Sequence, residues 1–232
     1  NGNFTGSGAL QAATKYLADD AAFTLPSAKG AFSANKVDQA AIATLAGTKA
    51  TDTTTLSGEI TVDTVLVNTT KYKVDGLVKI KNGATLTIPA GTIIYGDTTG
   101  DDYIVVTKGS KIEAAGTADE PIIFTSEAAL TDSTAADVGQ WGGLTILGNA
   151  PTNQADPHYE VDESDADFAF GGTDSADNSG TLTHVYILNS GVTMSTDQEI
   201  NGLSLCGVGT GTTVENIHVE NSSDDGIEIW GG

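Results

Sequence analysis

The 232-residue chain carries ten lysines, no arginine and 31 acidic residues, for a formal net charge of −21. Phosphate binding needs clustered Lys or Arg, so nucleic acid is excluded as a partner. No apolar run approaches the ~18 residues of a membrane span, and the single cysteine, Cys206, excludes an intrachain disulfide framework.

In chain order, residues 1–55 stand apart. Ala9–Phe23 and Val37–Gly47 are rich in Ala with apolar residues three and four apart, which predicts two short helices separated by Pro26 and Gly30. This partly helical segment is expected either to cap a following coil or to act as an assembly arm. From Leu56 the pattern changes to short runs rich in Val, Ile and Thr that alternate apolar with polar residues, broken every few residues by Gly, Asn or Pro. NGATLTIPAGT, from Asn82, recurs as KGSKIEAAGT from Lys108, a shift of 26 residues. A period in that range, made of strands and turns, predicts a solenoid of strands. The acids of Asp97–Asp102 read as a turn, and Glu127–Gly139 as a polar loop.

The second half repeats more clearly. WGGLTILG, NGLSLCGVG and DGIEIWGG align on Gly143, Gly202 and Gly226, and GTLTHVYILNS at Gly180 matches GTTVENIHVENS at Gly211 with one extra residue. The first of these coils carries about 35 extra residues, mostly at 149–179, expected as a loop on one face. That insertion holds eight acids, no Lys, and Tyr159, Phe168 and Phe170. Alternation sends Leu144, Ile146, Leu203, Leu205, Ile227 and Ile229 into the core and leaves Leu147, Cys206 and Trp230 as an outward apolar column. Something must cover that column, either the insertion or a partner.

The runs from Gly58 to Gly232 resemble bacterial secreted or surface proteins of the right-handed parallel β-helix type. The resemblance covers about residues 57–232 and implies an all-β solenoid, residues 56–232, at the cell surface or outside the cell. Pectate lyases and polygalacturonases share that fold. NSSDDG, with Asp224 and Asp225, superficially resembles the paired-Asp motif of the polygalacturonases, but the chain has no His-Gly and no Arg to complete their set. The lyases rely on a basic residue, typically Arg, to abstract the proton, and residues 112–232 contain neither Arg nor Lys.

No pair among His158, His184 and His218 has zinc spacing. Hard oxygen donors are dense, however, and Ca²⁺ is the cofactor they suit, with Asp162, Asp165, Asp167, Asp224 and Asp225 as candidate ligands. The reading is a non-catalytic extracellular solenoid with a structural, adhesive or assembly role. Its alternative is a carbohydrate-active enzyme or glycan-binding module with the acidic insertion as a cleft wall. The closing stretch adds an assembly edge, because Ile227, Ile229 and Trp230 begin a coil that nothing after them covers. Either the chain continues, or another copy docks there head to tail. The expected partners are thus copies of the chain itself or a surface glycan.

Overall fold

The computed structural model describes residues 32–33, 36–37, 39–48, 50–98, 101–132, 137–162, 164–195 and 198–232. Strands β1 (Phe32–Ser33) and β2 (Lys36–Val37) pair antiparallel and are followed by helix α1 (Gln39–Thr48). Thereafter the chain winds through one 13-stranded sheet whose strand pairs are all parallel. The pairings resolve this sheet into three faces of a β-helix.

Face A stacks the first halves of β3 (Asp52–Ile60) and β5 (Thr70–Ile80) under β7 (Ile93–Gly96), β10 (Ile122–Ser126) and the second halves of β12 (Gly180–Leu188) and β16 (Thr213–Glu220). Face B stacks the ends of β3 and β5 under β8 (Tyr103–Val106), β11 (Leu144–Leu147), β15 (Leu203–Cys206) and β17 (Ile227–Trp230). Face C holds β4 (Thr64–Val65), β6 (Thr85–Ile88), β9 (Lys111–Ala115) and the first halves of β12 and β16. Each turn of the chain visits A, B and C in that order.

The repeats seen in the sequence are the structural register. Thr85 pairs with Lys111, 26 residues on, while Leu144 pairs with Leu203 and Leu203 with Ile227. Because side chains alternate across a strand, one-for-one pairing stacks like positions into columns. Val78, Ile104, Leu144, Leu203 and Ile227 form one column of face B, and Ile80, Val106, Ile146, Leu205 and Ile229 the next. On face A, Tyr72, Ile94, Phe124, Ile187 and Val219 align in the same way. The buried members make one continuous core. Trp141 closes it at the approach to face B, stacking on Phe124 at 6.2 Å and donating its indole N–H to Leu188 O.

Three features differ from or add to the sequence reading. Glu127–Thr131, read as loop, is a short helix, α2: Ser126 Oγ caps it by accepting from Ala129 N, and Ala129 is its buried residue. A hairpin, β13 (Val192–Ser195) with β14 (Gln198–Ile200), stands between faces A and B. Helix α1 falls where the second helix was expected, but it lies along the flank of face A, where Ile42 and Ala46 pack with Ile93, Ile123, Tyr186 and Leu188. The Lys71 ammonium donates to the carbonyls of Ala46 and Ala50, serving unpaired acceptors where α1 ends. The helix expected at Ala9–Phe23 lies outside the described residues.

Gly180 shows how tightly the coils meet. It has φ +116°, and a Cβ there would stand 1.9 Å from Ile112 O of the coil below. Gly180→Ala should therefore cost about 3 kcal/mol or more through backbone strain and steric overlap, read as a lower denaturant midpoint in chemical unfolding.

Candidate functional site

The long insertion folds back along the outside of face B. Its two arms are held together by Tyr159 N–H donating to Phe168 O and Phe170 N–H donating to Pro157 O. Alternation leaves Leu147, Cys206 and Trp230 pointing outward from face B, and the insertion's aromatics cover them. Tyr159, Phe168 and Phe170 are buried with Tyr103, Val105, Leu147, Ile200 and Cys206 in one cluster that Trp230 flanks. Tyr159 stacks on Phe168 at 6.4 Å, Phe170 meets Trp230 edge-on at 6.3 Å, and the Tyr159 hydroxyl lies 3.1 Å from Ser204 Oγ. The column therefore has an intramolecular cover.

The charges at the two ends of this strap are opposite in kind. At one end Lys79 Nζ donates to Asp165 at 2.9 Å and Asp167 at 2.6 Å, while Lys81 Nζ donates to Asp167 at 2.6 Å and Glu59 at 3.2 Å. Asp165 also caps a 3-10 turn, Ala166–Phe168, by accepting from Asp167 N. Asp162 accepts from the hydroxyl and amide of Ser164 and from the amide of Asp165. Hydrogen bonds thus hold all three carboxyls below their ordinary range: those from Ser164 for Asp162, from the Asp167 amide and Lys79 for Asp165, and from the two lysines for Asp167. Partial burial opposes the charge of Lys79, but its bonds to Asp167 and Asp165 prevail and keep it firmly protonated. Three of the five acids expected to ligate Ca²⁺ thus have protein partners here.

At the other end, the charged groups that act on Glu160 among the described residues are all acids. Desolvation, with Glu228, Glu199 and Asp224 adding like charge, pushes the Glu160 carboxyl up to about 7. Burial likewise raises Glu228, which accepts from Asn201 Nδ2 at 2.6 Å. Asp225, at the same corner as Asp224, donates its backbone N–H to Asn201 Oδ1. Two of the acids singled out in the sequence, Asp224 and Asp225, therefore lie beside an acidic group whose other members the sequence reading missed. Glu160, Glu199 and Glu228 stand on the insertion, the hairpin and the last coil, and only the fold unites them. An open cleft of about 560 Å³ adjoins Glu228, lined by residues 151–154 and 228–232 with Trp230 among them.

A third acidic group occupies the turn between β7 and β8. Carboxylate oxygens of Asp97, Asp101 and Asp102 lie within 4.8 Å of one another and could hold a metal ion. Asp102 is buried, and its two oxygens accept from the amides of Gly76, on the coil below, and Asp97, each at 2.6 Å. Burial raises its affinity for a proton despite those bonds. Lys73 lies 3.5 Å from Asp97 and 3.6 Å from Glu127. The sequence signal was three acids in six residues, which a plain turn also explains.

The family model for a pectate-lyase-like β-helix domain matches residues 58–232. No curated protein and no solved structure matches the chain.

The two ends of the strap give opposite pH dependences. Glu160 binds its proton more tightly in the folded state, so its stabilising contribution is full below the ordinary value of 4.5 and is lost as pH rises through about 7. Asp162, Asp165 and Asp167 are depressed, so theirs is present above 3.8 and is lost as pH falls below it. Thermal unfolding should be highest near pH ~5 and decline toward pH ~8. Glu160→Gln should flatten only the upper limb, raising the midpoint at the alkaline end by roughly 2–4 °C after solvent screening.

Proposed function

We propose that this chain, which belongs to the pectate-lyase-like β-helix family, is a non-catalytic solenoid of the cell surface or extracellular space that assembles by end-to-end contact. The observation that carries the reading is the state of the last coil. Among the described residues β17 pairs only with β15, and its inward residues Ile227 and Ile229 are 45% and 70% exposed, so whatever covers this edge, a continuation of the chain or a second copy, meets a parallel strand. An open parallel edge with apolar side chains is a template for another strand.

A second copy supplies a strand of matching direction. Among the described residues, β3 pairs only with β5. Extending the face B columns across such a joint sets Ile60 over Ile229 and Gly58 over Ile227. Face A contributes less, since Thr54 would fall over Val219. A contact between different surfaces propagates into a filament unless it closes. The location rests on composition and on the family's resemblance to secreted proteins. A strongly acidic, arginine-free surface stays soluble and tolerates salt.

One observation favours the alternative, a carbohydrate-active or glycan-binding module. It is the cleft beside Glu228 and Trp230, with the Glu160 group close by. A carboxyl whose proton affinity is raised by burial and like charge could serve as the acid on a glycosidic bond.

Sedimentation of the purified chain over a concentration series separates the readings. The assembly reading expects mass to grow with concentration and Ile229→Asp to weaken association at least ~10-fold, the equivalent of losing one well-buried aliphatic side chain. A strictly monomeric chain that releases reducing ends or unsaturated products from a polysaccharide, and loses that turnover in Glu228→Gln, would overturn it. Calcium is the cation that three clustered carboxylates suit. If Asp97, Asp101 and Asp102 hold it, chelation at fixed ionic strength lowers the unfolding temperature, and Asp101→Asn abolishes that response.

A further inference from the structure

The strap's ends differ in how firmly they are attached. At the Asp165 and Asp167 end, two lysines of face B hold two carboxylates through three charge-assisted contacts, and Lys81 also meets Glu59. At the Glu160 end, the insertion meets the hairpin and the last coil, and the titratable groups facing Glu160 are Glu199, Glu228 and Asp224. Beneath them lies the Cys206 thiol, which itself faces Glu228 and Glu160. What attaches this end is neutral. Gln198 Nε2 donates to Glu160 O at 2.9 Å, and the Tyr159 hydroxyl reaches Ser204 Oγ and Glu199 O at 3.1 and 3.4 Å. Four carboxylates gathered from three elements, with no cation among them, push those elements apart.

We propose that the insertion is a strap fastened at Lys79 and Lys81 that opens locally from its Glu160 end, uncovering the apolar column of face B around Cys206. Local opening draws on the least stable contacts of a fold, and here repulsion is concentrated at one end. The Lys-held end stays seated because separating it would leave charges partly buried and unpaired. Opening exposes Leu147, Cys206 and Trp230, the outward column of the last three coils, and leaves the inward columns intact.

The chain carries its own reporter, because Cys206 is its one cysteine and is fully buried under the strap. Thiol labelling of the folded protein at one alkaline pH is compared between wild type, Glu160→Gln and Asp165→Asn. The proposal expects labelling about 10-fold slower in Glu160→Gln, the size of one pH unit of differential interaction, and unchanged within about twofold in Asp165→Asn. Removing a neighbouring negative charge makes a thiol more acidic and more reactive, so slower labelling of Glu160→Gln cannot come from the thiol's own chemistry. Amide exchange at Tyr159 and Phe170 should slow in parallel, while exchange at Phe168, beside the lysines, stays as it is. Equal labelling of wild type and Glu160→Gln overturns the proposal. Labelling that follows the global unfolding temperature across all three proteins also overturns it, because Cys206 would then be reached only by whole-domain unfolding.

Discussion

Residue-for-residue pairing between successive coils is the constraint on which everything else hangs. A parallel ladder fixes which residue of one coil lies over which residue of the next, so every inward position must be filled compatibly in coil after coil. Val78, Ile104, Leu144 and Leu203 satisfy this on face B, and Tyr72, Ile94, Phe124 and Ile187 on face A. The ladder leaves only the corners free to vary. Helix α2, the β13–β14 hairpin and the long insertion all leave the coil between faces and return to it in register. Close approach at the corners then imposes its own chemistry. Asp102 serves two amides from adjacent turns at once, and Gly180 sits where no Cβ fits.

The same topology redistributes charge. In sequence the lysines belong to residues 1–111 and the excess acid to residues 112–232. In space the insertion runs back from the later coils toward the earlier ones, so Asp165 and Asp167 reach Lys79 and Lys81 more than 80 residues away. Face B therefore changes electrostatic character along the solenoid axis, neutralised near its second coil and uncompensated at its last. The apolar column beneath the strap is uniform by comparison, which leaves the difference between the strap's ends largely to the charges.

Much of this was legible in the sequence, for identifiable reasons. The 26-residue shift from Thr85 to Lys111 and the alignment on Gly143, Gly202 and Gly226 are readable because a solenoid repeats its pattern in the chain itself. The outward column of Leu147, Cys206 and Trp230 followed from period-two alternation alone. Helix α2 was not read, because five residues are too few to show a helical period; its cap, Ser126, doubles as the last residue of β10. The acidic group of Glu160, Glu199 and Glu228 was hidden for a different reason. Its members lie on three corners and edges with no common spacing, and a pattern search along the chain sees each as a solitary surface acid. Asp162, Asp165 and Asp167 were visible as an acidic run, but the lysines that pair with Asp165 and Asp167 are remote in sequence, so those pairings could not be read from it.

The strap also bears on how the two functional readings relate. In a three-faced β-helix an extended ligand would lie along the outward side of a face, across several coils, where side chains from successive strands line up. On face B that position is filled by Tyr159, Phe168 and Phe170, which occupy the stacked surface from Val105 to Trp230. A glycan along this face and the chain's own insertion are therefore rivals for the same apolar surface. The assembly reading carries no such conflict, because the edge of β17 away from β15 points along the axis and not outward. Stacking can proceed with the strap seated, whereas binding along face B requires it to move.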